Sequence, residues 1–168
     1  MKKENLFEKG VIRTFSGIYF DILNPRPEMV FIEDIAHSLS MQPRFAGHTK
    51  RFLSVAEHCI NCCNRSISAM KLEALLHDAA EAYILDIPSP IKRAIPDIYE
   101  IENRIYLAIS QRFGIPNTIS GYVKALDSEM LQYEWDNIVI RNTESIQLMS
   151  QAKAKTQFLK HFKRNIKY

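Results

Sequence analysis

From residue 32 onward the apolar residues of this chain recur at helical spacing, and Pro and Gly interrupt that spacing mainly between segments. Such a pattern leaves room for little besides helices. Ile32, Ile35, Ala36 and Leu39 mark a first short helix, followed by a loop from Met41 to Thr49 that contains Pro43 and Gly47. A second helix is expected from about Lys50 to Arg65, with Phe52, Val55, Ala56, Cys59, Ile60 and Cys63 on its apolar side. A third spans about Ala69 to Leu85 and stops before Pro88 and Pro90, because proline disfavours the helical conformation in the residue before it. Asp97 to Phe113 makes a fourth, closed by Gly114 and Pro116. A fifth is expected from about Ser120 to Trp135, and a sixth from about Glu144 to Phe162.

Ahead of these, TFSGIYFDILNPRPE (Thr14 to Glu28) mixes aromatic and β-branched residues around Gly17 and ends in Asn-Pro-Arg-Pro, which favours a short hairpin or extended arm. The expected fold is all-α, a compact helical bundle with that short N-terminal element. A chain of 168 residues fits one domain, so residues 1–168 are read as a single unit.

The 46% hydrophobic and 24% charged residues are those of an ordinary globular protein, neither disordered nor membrane-spanning. No apolar run approaches the roughly 20 residues that a membrane helix requires. The start, MKKENLFEKG, has no apolar stretch after its lysines and does not read as a signal peptide, so a cytoplasmic location is expected. A net charge of +3 is too small to imply a nucleic-acid partner. Its basic excess gathers in Lys153, Lys155, Lys160, His161, Lys163, Arg164 and Lys167, read as a solvated helix face. Cys59, Cys62 and Cys63 are too close along one helix for a disulfide framework and are read as free, small core residues.

Against this background the stretch LLHDAAEAYILDIPSP (Leu75 to Pro90) stands out, because an apolar segment carries His77, Asp78 and Glu81. On a helix at about 100° per residue, Leu72, Leu75, Leu76, Ala79, Ala80 and Tyr83 form the core stripe, and His77, Asp78 and Glu81 gather on the opposite side. That side is expected to escape the core and to be functional. Adjacent imidazole and carboxylate groups can both reach one ion, with Glu81 one turn on and near enough to act on water that such an ion activates. Two residues hold an ion weakly, so further ligands are expected on neighbouring helices. His58, at the edge of its helix's apolar stripe, and Asp127, flanked by Val123, Met130 and Leu131, are the candidates. Two His and two Asp would make a nitrogen and oxygen shell suited to a divalent transition metal: Mn, Co, Fe, Zn or Ni.

The order His58, His77-Asp78, Asp127 resembles the H…HD…D signature of the HD-domain metal-dependent phosphohydrolases. IEDIAHSLS, PRFAGHT, FLSVAEH, ALLHDAAEAYILDIPSPIK and KALD extend the likeness over about Phe15 to Glu134, toward the bacterial and phage deoxyribonucleoside 5′-monophosphatases. The resemblance implies that His58, His77, Asp78 and Asp127 bind one divalent ion, and that Glu81 and Asp86 act on the nucleophilic water or the leaving group. It further implies that Arg44 contacts phosphate, a role its planar, bidentate donor set suits. Phe45 stands where some relatives carry Trp, as a base or sugar contact, and Lys92 is a second phosphate contact. The substrate would be a nucleotide, and a homodimer fits the family. A triphosphohydrolase that releases triphosphate from a dNTP and a nucleotide sensor without turnover stay open as alternatives. His37 and His48 are set aside, the first as structural. Phe52, Tyr83, Tyr122, Met130 and Tyr133 have core spacing and suggest packing.

Overall fold

The computed structural model describes residues 9–166; residues 1–8, which include most of the segment examined for a signal peptide, and Lys167 of the basic tail lie outside the described residues. A small antiparallel hairpin comes first. Strand β1 (Val11–Arg13) pairs with β2 (Tyr19–Asp21), with Ile12 opposite Phe20. The first strand therefore precedes Thr14, where the hairpin was expected to begin. Phe20 is fully buried and stacks on Tyr83 with ring centroids 3.9 Å apart, which pins the hairpin to the helices.

The rest of the ordered structure is helical. Helix α1 (Ile32–Met41) buries Ile35, Ala36 and Leu39 as its spacing predicts. Helix α2 (Val55–Arg65) starts five residues later than expected, capped by the Ser54 hydroxyl, which accepts from the Glu57 backbone at 3.1 Å. The chain before it runs extended. Arg44 N donates to Leu53 O at 2.8 Å, and Val55 N to Gln42 O at 3.1 Å, so the loop after α1 is tied to the start of α2. These bonds take the place of the helical turn expected before Val55.

The third expected helix is divided into α3 (Lys71–Leu76) and α4 (Glu81–Ile84). Between them the hydrogen bonds tighten to the i→i−3 pattern, with Ala79 N to Leu76 O and Glu81 N to Asp78 O both at 3.0 Å. His77 and Asp78 sit in this tightened turn. Leu85 closes α4 at φ 74° and ψ 158°, a backbone region used almost only by glycine and costing about 1–3 kcal/mol. Pro88-Ser-Pro, expected only to end a helix, also starts one: α5 (Ser89–Ala94) has proline in its first turn, where a missing N–H is harmless.

Helix α6 (Asp97–Phe113) matches its expected bounds and ends at Gly114, which takes the left-handed conformation at φ 69°. Helix α7 (Gly121–Glu134), capped by Ser120, runs into a π-helical segment at Trp135–Ile140. Helix α8 (Gln151–Asn165) begins seven residues after the expected start at Glu144. The intervening backbone is held from outside: Arg51 donates to Thr143 O at 2.8 Å and Ile146 O at 2.7 Å, and Glu57 accepts from Met149 N at 2.8 Å.

Helix α8 lies against α1, α2 and α3 and contributes Ala154, Phe158 and Phe162 to the main core. A second, smaller cluster of Cys62, Ala74, Val123, Leu126 and Met130 attaches α7 to α2 and α3. That attachment decides where Asp127 and Glu134 fall. The fold is thus mostly helical, as the periodicity predicts, with one two-stranded sheet among the described residues. No helix of the described residues is long and apolar enough to cross a membrane.

Candidate metal centre

Three segments bring four side chains to one point. Helix α2 supplies His58, the turn after α3 supplies His77 and Asp78, and α7 supplies Asp127. His58 Nε2 lies 3.0 Å from Asp127 Oδ1 and 3.7 Å from Asp78 Oδ2. His77 Nε2 lies 3.6 Å from the same Asp127 oxygen and 3.3 Å from the same Asp78 oxygen. The four atoms form a closed ring. Ligands about 2.0–2.2 Å from a tetrahedral ion are about 3.3–3.6 Å apart, so these separations fit a shared ion. His77 Nε2 is moreover buried without a hydrogen-bond partner, while its Nδ1 donates to Ala74 O at 2.9 Å and fixes the ring.

The side of the third segment that carries these groups does not escape the core. His77 and Glu81 are 5% and 4% exposed, and Ala74 on the same side packs with Val123 and Met130 of α7. This corrects the expectation drawn from the helical stripe. Ionisable groups with so little water need partners or an ion.

Burial and Arg44 each push the His58 pKa down, but Glu134, Asp127 and Cys62 outweigh them and hold it well above the ordinary histidine value. His77 is raised likewise, against burial, by Asp78 and Asp127. Burial would raise Asp127, yet the hydrogen bond from His58 and the close imidazole of His77 hold its carboxyl far below the usual carboxylate range. Both histidine shifts favour the protonated imidazoles beside these carboxylates. Glu81 moves the other way. Burial, Asp78 and Asp86 raise it well above the normal glutamate value.

A residue that the sequence reading passed over completes the centre. Glu134 is 1% exposed and accepts from His58 Nδ1 at 2.9 Å, while its other oxygen pairs with Arg44 at 3.3 Å. It follows Asp127 by seven residues, two helical turns, and so shares a face of α7 with it; that spacing was the available signal. Arg44, for all its place in a loop, is buried, and Nη1 lies 3.8 Å from Asp78 and 3.7 Å from Asp86. Its charge is held firmly by Glu134, Asp78 and Asp86 despite burial.

Glu81, Asp86 and Lys92 form the next layer. Lys92 Nζ donates to Glu81 at 3.1 Å and to Glu102 at 2.7 Å, so its charge is engaged by two carboxylates. The second oxygen of Glu81 is buried and unpaired. The Gln42 side chain donates to Glu81 O at 3.0 Å and accepts from Asp86 N at 3.1 Å, which ties the segment bearing both acids to the loop of Arg44. Phe45 is half-buried beside Arg44 and Trp135.

The cysteines are free and buried, as expected of core residues, but two of them also border the centre. His58, Cys62 and His77, and likewise Cys59, His77 and Asp78, offer ligand atoms within 4.8 Å of one another. His37 stacks on Phe15 at 3.9 Å and meets Lys155 at 3.3 Å, consistent with a structural role, and His48 is exposed. Tyr83 and Met130 pack inside as expected, whereas Tyr122 and Tyr133 are 39% and 38% exposed.

Fold and site together define a mostly helical protein whose centre is a buried group of His, Cys and Asp side chains able to hold a metal ion. No family model matches the chain. It is 44% identical over 125 residues to uncharacterized protein YfdR of Escherichia coli (strain K12), covering 73% of this chain and 69% of YfdR. It is also 36% identical over 140 residues to uncharacterized protein RCAP_rcc00048 of Rhodobacter capsulatus, covering 75% of this chain and 71% of that protein. The chain belongs to the family of these two proteins.

Proposed function

We propose that this protein is a metal-dependent phosphohydrolase of the HD-domain type that acts on nucleotides, with deoxyribonucleoside 5′-monophosphates as its first substrates. One observation carries the reading: the closed ring of His58, Asp127, His77 and Asp78 ligand atoms at 3.0–3.7 Å, with His77 Nε2 buried and unpartnered. These four residues would hold the ion. A divalent ion there supplies a Lewis acid and water of lowered pKa.

The chain's own residues account for the rest. Arg44 is a buried guanidinium already fixed on Glu134, near Asp78 and Asp86, and its remaining donors suit two oxygens of a phosphoryl group. Glu81, raised by burial, Asp78 and Asp86, is the first candidate to give a proton to a leaving oxygen. Asp86, raised by burial above all, is the second candidate for this transfer. Lys92 orients Glu81 by donating to its carboxyl oxygen at 3.1 Å rather than standing free for phosphate.

The test is a panel of nucleoside mono-, di- and triphosphates against several divalent metals, with chromatography of the products. Nucleoside and inorganic phosphate from dAMP are the expected products. Triphosphate released from dATP with dAMP untouched would replace this reading with a triphosphohydrolase, and tight binding without release under every metal would replace it with a nucleotide sensor.

A further inference from the structure

Glu102 precedes Ile105, Tyr106 and Ile109 by three, four and seven residues, and so continues the stripe by which α6 enters the core. Glu100, two residues earlier, lies on the outer face of the same helix. Its side chain is 82% exposed and stands 3.7 Å from Arg104, whereas that of Glu102 is 22% exposed. A carboxylate on the inner stripe needs a cation. Glu102 has one in Lys92, whose Nζ donates to Glu102 Oε1 at 2.7 Å and also to Glu81 Oε1 at 3.1 Å. The shorter bond is the one to Glu102. Burial disfavours the charge of Lys92, yet Glu81 and Glu102 raise its pKa above the ordinary lysine value.

Lys92 belongs to α5, six residues of which none is buried, so packing of that helix does not fix where the lysine reaches. Glu102 belongs to α6, 17 residues long and anchored in the core through Ile105 and Ile109. Position thus passes from the long helix, through Lys92, to Glu81. Oε1 of Glu81 takes the bond from Lys92, and Oε2, buried and without a hydrogen-bond partner, is the oxygen left for a reacting group. We infer, on the hydrolase reading above, that Glu102 is a positioning residue for Glu81: by holding Lys92 from the far side it fixes which carboxyl oxygen of Glu81 turns to the substrate. Without Glu102 the lysine keeps one partner and loses the fixed point from which it reaches the other.

The test uses full-length, metal-loaded protein with dAMP. Glu102→Gln keeps the shape of the side chain and removes its charge. Its kcat should fall about 10- to 100-fold, the scale of a displaced catalytic group, with KM and bound metal unchanged. Glu102→Asp should recover part of that loss, and Glu100→Gln, on the outer face, should cost nothing. Because Glu102 acts through Lys92, the variant Lys92→Met and the double variant with Glu102→Gln should turn over equally slowly. Additive losses, or a Glu102→Gln enzyme as fast as the wild type, overturn the role. A readout that needs no turnover is the ammonium resonance of Lys92 in proton–nitrogen NMR spectra, recognised by its loss in Lys92→Met. It should be sharp in the wild type and broadened beyond detection in Glu102→Gln. That broadening in a protein that hydrolyses no nucleotide under any metal removes the hydrolase and leaves Glu102 holding Lys92; hydrolysis with the resonance unchanged in Glu102→Gln does the reverse.

Discussion

Glu134 lies 2.9 Å from Nδ1 of His58, and both side chains are almost wholly buried. A histidine that donates one ring N–H to a carboxylate has its tautomer and orientation fixed, and its other nitrogen becomes a better metal donor. Glu134 is therefore a positioning residue for His58. Glu134→Gln keeps the shape and removes the charge. Metal affinity should fall about 10- to 100-fold, as losses of such outer partners do. Equilibrium dialysis against a buffered metal measures it; unchanged affinity would leave Glu134 with only the Arg44 ion pair to maintain.

The ligand ring and the water-side acids should separate under mutation. Asp78→Ala removes an oxygen that faces both histidines, at 3.3 and 3.7 Å, and should abolish metal content and turnover together. Glu81→Ala should retain the metal and lower the rate about 10²- to 10⁴-fold, the range of general acid–base catalysis. Because Glu81 is the proton donor in this scheme, turnover of the intact enzyme should also decline on the alkaline side as Glu81 ionises. Full activity in Glu81→Ala would remove that role.

Cys62 offers a rival to Asp127 as third ligand. Its sulfur is 3.6 Å from His58 Nε2, against 3.0 Å for the Asp127 oxygen, which in addition faces His77 at 3.6 Å. Asp127 serves both histidines. Cys59 is a poor thiolate, since burial and then Asp78 push its pKa well up. Cys62→Ser should thus keep stoichiometric metal, while Asp127→Asn should lose most of it. Elemental analysis of the two purified variants decides, and the opposite pattern would make the centre a thiolate site.

Much of this centre could be read from the chain, and the rest could not, for identifiable reasons. His77 and Asp78 declared themselves as charges in an apolar run, and α6 was legible because its period and its Gly114 stop agree. Periodicity alone could not show that the helix tightens at His77, since that depends on i→i−3 bonds inside an unbroken apolar pattern. Nor could it tell a solvated face from one covered by α7, which needs the contact of Ala74 with Val123 and Met130. The late start of α8 has the same origin: Arg51 and Glu57, far upstream, capture the backbone of residues 143–149. Glu134 was one step from view, two turns beyond Asp127.

The metal-free protein should have a bounded pH range of stability. His58 and His77, raised above 6.5, contribute stability that is complete below that value and is lost as pH rises through their folded values. Asp127, lowered from 3.8, contributes stability that is present above that value and is lost as pH falls toward its folded one. Melting temperature in the presence of a chelator should therefore be highest from about pH 4 to 6.5 and fall on the alkaline side. Metal binding displaces the histidine protons, so saturating metal should restore the alkaline side and bind more tightly as pH rises. A chelated protein whose stability climbs through pH 7 would contradict the charge balance of the ring.

Leu85 offers a test that leaves the ligands alone. Its φ of 74° with ψ of 158° is a conformation that glycine adopts freely, and its side chain is 64% exposed, so little burial is lost on removing it. The conformation turns the chain so that Asp86 N meets Gln42, 3.1 Å away, and carries Asp86 to 3.7 Å from Arg44. Leu85→Gly relieves strain of about 1–3 kcal/mol and gives back about 1 kcal/mol through the freer unfolded chain, leaving a net gain of about 0–2 kcal/mol. Leu85→Val, with a branched Cβ in the same conformation, should lose about 1 kcal/mol or more. Urea unfolding of the three proteins orders them, and a glycine variant less stable than the valine variant would mean that Leu85 is held by contacts outweighing its backbone strain.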